Sequence, residues 1–488
     1  TRGAGLLSVR LLKYPETLDP DSAPVLLDFA DLPALSYTGI PNLGSSFTFS
    51  VQALEDSRSL RFERRTLSGI RMVRDVTLED PYLLRVKDTF FNESGAAVAF
   101  PAHTLRIGKL SGRVGESSVK GVHVLGVDTL SPGGGKVQYW GRKFPKAFQP
   151  DSRDGRLPEW TESSYPEDGR RVDWAALKEK YFTLILTPEG GADQVRTRLE
   201  REILEREIAE PGYRPKTATI KSVFADLAFA GRILPESGES IERAFTLYVG
   251  PKQYSELNRF AFHQVDVMEF GMWAPVGKIL LKGLIFFHGL IPNYGVAIIL
   301  LTCVIRLIFW PLTHKSGKSM RKMQELQPEI AKLKATIKDP KKQQMATLEL
   351  YKKHKVNPVS GCLPMIIQIP VFIALFVVLR SAIELRFAPF LWIHDLSEPE
   401  NLLPGALPFV SGLNLLPLIM TAVQIWQQKL TPAAGDPAQQ KMMTFMPILM
   451  LVFFYNFASG LVLYWTTNQM LMIVQLLIQK NRSAHKTA

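Results

Sequence analysis

One cation sits inside an apolar run long enough to cross a bilayer. Arg306 interrupts Tyr294-Gly-Val-Ala-Ile-Ile-Leu-Leu-Thr-Cys-Val-Ile-Arg-Leu-Ile-Phe-Trp-Pro-Leu312, and a hydrocarbon core of about 30 Å needs about 20 such residues. A charge near the middle of a membrane helix costs about 2.5–3.5 kcal/mol on insertion scales. At about 1.5 Å rise per residue, Arg306 lies roughly 10 Å from Thr313, deep for simple snorkelling. The plainer alternative is an Arg near a helix end that reaches for lipid headgroups. The depth favours a fixed positive charge facing a water-filled cavity inside a helix bundle. Gln368, Gln424 and Asn468 also stand in apolar segments. They fit either the lining of that cavity or hydrogen-bonded glue between helices.

Other spacings carry no chemistry. Thr313-His-Lys-Ser-Gly-Lys-Ser319 ends like a phosphate-binding loop, but the leading glycine would stand at Leu312 and no strand precedes it. Gly133-Gly-Gly135 opens no helix, and the eight histidines are scattered without a metal-ligand spacing. No nucleophile elbow or metalloprotease motif occurs. The sequence therefore argues for a protein that is not an enzyme, with no catalytic residue, no metal and no cofactor.

The elements that must position Arg306 follow from composition. The 488 residues exceed one ordinary core, and the two halves differ. Residues 1–270 are rich in charge, lack cysteine and hold no long apolar run; residues 271–480 hold five apolar segments. The net charge of +12 belongs to particular loops and matches no nucleic-acid module. In the first half, Ser59-Leu-Arg-Phe-Glu, Tyr82-Leu-Leu-Arg-Val-Lys, Thr104-Leu-Arg-Ile, Lys136-Val-Gln-Tyr-Trp, Tyr181-Phe-Thr-Leu-Ile-Leu and Ala244-Phe-Thr-Leu-Tyr-Val alternate like strands. Turns such as Asn92-Glu-Ser-Gly95 and Ser131-Pro-Gly-Gly-Gly135 separate them, which predicts an antiparallel β-sandwich. One charged amphipathic helix is expected over 195–208.

The second half is expected to be an α-helical bundle. Residues 271–293 suit an amphipathic helix lying in the membrane interface, or in part packed on protein, with Trp273, Val276, Ile279, Leu280, Leu284 and Phe287 at helical spacing. Spans are expected at 294–313, 361–380, 412–428, 442–457 and 460–479. The last two are separated because 444–478 as one helix would extend about 52 Å, and Asn456-Phe-Ala-Ser-Gly460 offers a turn. Residues 314–358 carry twelve Lys and Arg against four acids, whereas 381–411 carries Arg386 alone against Glu384, Asp395, Glu398 and Glu400. Basic loops face the cytoplasm, which assigns 314–358 and the tail 481–488 to it and residues 1–270 to the outside. The 314–358 loop itself reads as a helical hairpin. Met320, Met323, Leu326, Ile330, Leu333 and Ile337 keep one seam, Lys338-Asp-Pro340 breaks it, and Met345, Leu348 and Tyr351 begin the return. An exported domain ahead of membrane helices needs a signal or anchor, expected upstream of Thr1.

Five stretches resemble the YidC/Oxa family of membrane protein insertases, in family order: Arg306-Leu-Ile-Phe-Trp-Pro-Leu-Thr313; Lys355-Val-Asn-Pro-Val-Ser-Gly-Cys-Leu-Pro-Met-Ile-Ile-Gln-Ile-Pro370; Trp392-Ile-His-Asp-Leu-Ser397; Asp436-Pro-Ala-Gln-Gln-Lys-Met-Met-Thr-Phe-Met-Pro447; and Ser459-Gly-Leu-Val-Leu-Tyr464. Thr1-Arg-Gly-Ala4, Lys180-Tyr-Phe182 and Leu247-Tyr-Val-Gly-Pro251 look like the family's large periplasmic domain. The resemblance implies an inner-membrane protein in which five helices enclose a hydrophilic groove, open to the cytoplasm and to lipid. Arg306 matches the groove arginine, and Thr302 and Trp465 match substrate-contact positions; many members carry Tyr at the latter. It implies insertion and folding of nascent membrane proteins, alone or with the Sec translocon, in contact with lipid. Lys322, Lys332, Lys334, Lys341 and Lys342 of the hairpin suit recruitment of ribosomes or targeting factors. No specific nucleic acid is implied. The rival is a transporter or channel with a carbohydrate-binding domain, for which Trp140, Trp160 and Trp174 would have to form a cleft; a transporter should also show inverted repeats, and none is seen.

Overall fold

The computed structural model of the protein describes residues 2–487 except 56–57, 113–124, 134, 152–154, 211–212, 214, 216, 235, 237–239, 355, 357–362, 405–411 and 431–436. The chain divides into two units, Thr1–Glu269 and Phe270–Ala488.

The first unit is built on two antiparallel sheets. The larger runs in the order β11 (Gln138–Tyr139), β10 (Gly126–Leu130), β13 (Trp174–Lys178), β14 (Phe182–Pro188) and β18 (Ser240–Pro251), then continues. Its other half is β7 (Leu83–Asn92), β6 (Ile70–Asp80), β5 (Ser59–Arg65) and β4 (Ser50–Ala53). The smaller runs β12 (Trp160–Tyr165), β15 (Gln194–Arg201), β16 (Ile220–Phe229), β9 (His103–Ser111) and β3 (Tyr37–Thr38). Two strand pairs complete the unit, β1 (Ser8–Pro15) with β2 (Pro24–Asp28) and β8 (Val98–Phe100) with β17 (Arg232–Leu234). β9 and β16 lie against β13 and β14, so β10 and β13 are buried at every residue. A strand covered on both faces loses its polar alternation. Gly108 of β9 marks the close approach of the sheets: at φ +151°, a Cβ there would meet the Leu184 side chain at 2.8 Å.

A buried ion pair fastens the start of the chain to the large sheet. Arg74 of β6 and Asp88 of β7 meet twice, Nε to Oδ1 at 2.7 Å and Nη2 to Oδ2 at 2.6 Å. Tyr37 Oη donates to Asp88 Oδ2 at 2.7 Å, and Arg74 Nη1 donates to the carbonyls of Ala4 and Leu35.

One expectation fails here. The 195–208 stretch is no single helix: β15 occupies Gln194–Arg201, and only α2 (Glu205–Ala209), second after α1 (Phe144–Ala147), is helical. Val195, Thr197 and Leu199 are buried while Arg196 and Arg198 face out, a period of two that the charges masked. The Glu207 carboxylate accepts from Leu204 N–H at 3.1 Å and from Arg201 at 2.8 Å, fixing where the short helix starts.

The first unit ends through α3 (Tyr254–Leu257), and the second is helical. It comprises α4 (Ala274–Leu290), α5 (Tyr294–Glu325), α6 (Gln327–Thr336), α7 (Pro340–Lys353), α8 (Leu363–Ser381), α9 (Leu415–Leu430), α10 (Pro437–Phe454) and α11 (Ser459–Thr487). Among the described residues two helices are long and apolar enough to cross a membrane, Tyr294–Ser319 and Ser459–Ile478; Gln368–Arg380 and Met443–Phe454 are shorter apolar stretches. α5 does not stop at Thr313. It runs on through Pro311 to Glu325, which puts Arg306 about 18 Å from Tyr294 and about 20 Å from Ser319.

The segment 382–403 gathers five helix ends. Asn293, ahead of α5, donates to the Pro389 carbonyl at 3.3 Å. Ala382, just after α8, still bonds back to Val378. The Glu400 carboxylate caps α9 through the N–H groups of Leu415 and Leu416, at 2.6 and 2.8 Å. Asn414 reaches the Tyr455 carbonyl at the end of α10 at 2.8 Å, and Ser459 and Gly460 at the start of α11 donate to Glu398 and Leu396. Successive helices α5, α8, α9, α10 and α11 therefore alternate in direction.

α4 packs on α5 and α8 through Gly277, Leu280, Leu281 and Leu284, with Ile279 and Phe286 turned outward. In the hairpin, Met323, Leu326, Ile330 and Val356 form a seam with Leu350 and Tyr351. Met345 and Leu348, expected on that seam, are instead exposed on the outer face of α7. The Asp339 carboxylate accepts from Lys341 N–H at 2.9 Å and caps α7.

Candidate functional site

The helix that carries Arg306 is two-sided in an unusual way. Val304, Leu307 and Ile308 are exposed, while the buried side passes from Gly295, Ala297 and Ile298 to Thr302, Arg306 and Ser316. Lipid-facing side chains of a membrane helix must be apolar, so polar ones are driven inward. α9 repeats the pattern with Thr421 and Gln424, and α11 with Thr466, Asn468, Gln469 and Gln475, all buried.

Arg306 is 9% exposed and Thr302 1% exposed, one turn apart on α5. Arg306 Nη2 donates to the Asn468 carbonyl at 3.0 Å, and its Nε is buried without a partner. Thr302 Oγ1 donates to the Ile298 carbonyl at 2.6 Å. Seven residues further along both helices, Gln475 Nε2 donates to Thr313 Oγ1 at 3.1 Å. The two contacts share a sequence offset of 162, so α5 and α11 run parallel.

Trp465 is half-buried between Phe372 and Phe454, ring centroids 5.2 and 5.5 Å away, and its Nε1 has no partner. Gln368 lies beside Tyr464, which in turn lies within electrostatic reach of Arg306. The Gln368 amide faces the Tyr464 oxygen, and Tyr464 Oη donates to no acceptor. Gln424 and Gln469 each bury a side-chain oxygen without a partner. Buried polar atoms are nearly always paired, so each of these orphans calls for an explanation. Arg306 thus shares one neighbourhood with Asn468, Tyr464 and Gln368, whereas Trp465, next to Tyr464 on α11, packs on Phe372 and Phe454, and Gln424 lies on the buried face of α9, which packs on α11. Tyr464, Thr313 and Gln475 were not singled out from sequence. The seven-residue spacing of Asn468 and Gln475 was the available signal.

Lys322, Lys332, Lys341 and Lys342 are exposed on α5, α6 and α7, and the Lys334 side chain lies outside the described residues. In the first unit, Trp174 and Trp140 are core residues, donating to the Phe262 carbonyl at 2.6 Å and to Thr129 Oγ1 at 2.9 Å. Only Trp160 is exposed. The three tryptophans form no sugar platform. A cavity of about 300 Å³ in this unit is lined by Glu16, Asp28, Asp31, Glu179 and Lys109 with Phe29 and small and aliphatic neighbours, and by none of those tryptophans.

Family signatures match nearly the whole chain. Residues 1–282 match the family described as YidC periplasmic domain, and 286–486 that described as 60Kd inner membrane protein. A membrane protein insertase YidC from Citrifermentans bemidjiense is 34% identical over 97% of this chain and 82% of its own length. The chain belongs to the YidC family of membrane protein insertases. A YidC from Syntrophobacter fumaroxidans is 45% identical over 49% of the chain and 44% of its own length. A crystal structure of an active YidC insertase with its first transmembrane domain resolved covers 94% of this chain and 81% of its own at 19% identity. Its TM-score of 0.37 carries no argument. YidC membership makes this an inner-membrane protein with a periplasmic domain that acts on membrane proteins. The transporter reading has no support.

Proposed function

We propose that this insertase moves polar segments of incoming membrane proteins along the interior shared by α5, α8, α9 and α11, with Arg306 as the fixed charge on that path. One observation carries the reading: Arg306 is buried with a single backbone acceptor and, among the described residues, no carboxylate partner. The polar flank of an entering helix is what resists the bilayer. Water and a cation held halfway across lower its desolvation cost, while the apolar part partitions into lipid. Hydrophobic partitioning and the membrane potential suffice in principle as driving forces.

Five spans, α5, α8, α9, α10 and α11, serve this path. The parallel pairing of α5 and α11 supports the count, since it needs an odd number of crossings between them, and α8, α9 and α10 supply three. The Lys and Arg of 314–358 favour a cytoplasmic hairpin and a periplasmic 382–403. The exposed Lys322, Lys332, Lys341 and Lys342, together with Lys334, recruit ribosomes or targeting factors, and the Sec translocon is a further partner.

The test is insertion of a single-span substrate with an acidic translocated tail by the chain alone in liposomes. Arg306→Ala should lower insertion about tenfold, equivalent to about 1.4 kcal/mol, and Arg306→Lys should retain most of it. Equal loss in both variants, whatever the charge of the tail, would make the guanidinium a structural fork and overturn the reading.

A further inference from the structure

Among the orphaned polar atoms on α5, α8, α9 and α11, donors predominate over the Gln424 and Gln469 oxygens. Arg306 Nε, Tyr464 Oη and Trp465 Nε1 are buried with a hydrogen to donate and no acceptor, and the Gln368 amide sits beside the Tyr464 hydroxyl. Arg and Trp side chains can only donate. The donors come from α5, α8 and α11, so no single helix could have left them unpaired by its own geometry. Tyr464 is 1% exposed, beside Gln368 and within electrostatic reach of Arg306. It lies one turn before Asn468, whose carbonyl already takes Arg306 Nη2. A carboxylate is the complement of such a set. It only accepts, it offers two oxygens with about four lone-pair sites, and its charge-assisted hydrogen bonds are the strong ones.

We propose that Tyr464 is a specificity-determining residue, its hydroxyl hydrogen-bonding, together with the Gln368 amide, the carboxylate of an acidic substrate residue drawn in by Arg306. This rests on the reading of Arg306 given above and deepens it. Charge alone attracts an acidic tail from any direction. A hydroxyl and an amide beside the guanidinium fix one carboxylate in place and separate Asp or Glu from their amides. Asn and Gln bring donors of their own to a set in which donors already predominate, and leave part of it unpaired.

The experiment uses the full chain in liposomes and two single-span substrates that differ only by Asp or Asn at one translocated position. Tyr464→Phe removes a single oxygen and keeps the ring. Insertion of the Asp substrate should fall about five- to tenfold, as expected for loss of one hydrogen bond to a charged group, and that of the Asn substrate by less than about twofold. Retained insertion of the Asn substrate also reports an intact fold. Equal falls for both substrates would reduce Tyr464 to a packing residue, and no fall for either would leave its hydroxyl without a role; each overturns the proposal. Arg306→Ala is run beside it. If that variant also leaves the Asp-to-Asn ratio unchanged, the path through Arg306 itself fails. If it collapses the ratio while Tyr464→Phe does not, only the assignment of Tyr464 fails.

Discussion

Lys252 should be the costliest charge in the β unit, and replacing it with Met should stabilise that unit at neutral pH. Its side chain is 5% exposed, and Lys178, Asp128, Glu269 and Glu179 surround it. The acids are already engaged: Lys178 Nζ lies 2.8 Å from Asp128 Oδ2 and 2.9 Å from Glu269 Oε2, and Arg142 reaches Glu269 at 3.2 Å. Burial, with Lys178 adding repulsion, pushes the Lys252 ammonium from 10.5 down to about 7. The folded unit therefore holds fewer protons than the unfolded chain between about pH 7 and 10.5. Its stability rises with pH across that window, and the cost is complete below it. At about 1.4 kcal/mol per unit of pH, that cost is about 5 kcal/mol. Asp128 does not confuse the window. Burial raises it from 3.8 to about 6, so its contribution changes between those values and is constant above them. Lys252→Met keeps chain length while removing the charge, and Asp128 and Glu269 lose one attractive neighbour, leaving a net gain of about 2–4 kcal/mol at pH 7. Urea titration of the full chain with pulse proteolysis of the β unit measures it. Wild type should gain about 2–3 kcal/mol between pH 7 and 9, and the variant should be flat. A variant less stable than wild type at pH 7, or a wild type without that gain, would refute the reasoning.

The Arg74–Asp88 pair gives a second expectation. Arg74→Met strands a buried carboxylate and should destabilise the β unit by about 3–5 kcal/mol, with Arg74→Met/Asp88→Leu recovering most of the loss; hydrogen exchange of β6 and β7 reads both, and a double variant as unstable as the single one contradicts it. Topology is checked by thiol labelling in intact cells with Cys303 and Cys362 replaced by Ser. Leu391→Cys, on an exposed side chain of 382–403, should react from outside and Ala335→Cys should not; the reverse pattern would invert the orientation.

Much of this protein was legible along the chain because its signals are local. Length and apolarity alone mark α5 and α11 as helices, and Asn456-Phe-Ala-Ser-Gly460 breaks the chain where α10 ends at Phe454 and α11 begins at Ser459. The strands Ser59–Arg65 and Ser240–Pro251 contain the alternating segments read from sequence. Arg306 was conspicuous because a charge among aliphatic residues costs energy wherever the helix sits. The 195–208 stretch misled because its charges satisfy two periods at once, and only pairing with β12 and β16 selects the period of two. Met345 and Leu348 misled for a related reason: spacing gives a face, but packing decides whether anything covers it. What tertiary structure alone decided is which polar groups meet and which stay unpaired. Asn468 supplies Arg306 with a backbone carbonyl that any residue type could offer, so composition holds no trace of the contact. Tyr464 looked like one more aromatic in an apolar helix. Its role depends on Gln368 and Arg306, 96 and 158 residues away along the chain, and such convergence is set by helix packing, on which local sequence is silent.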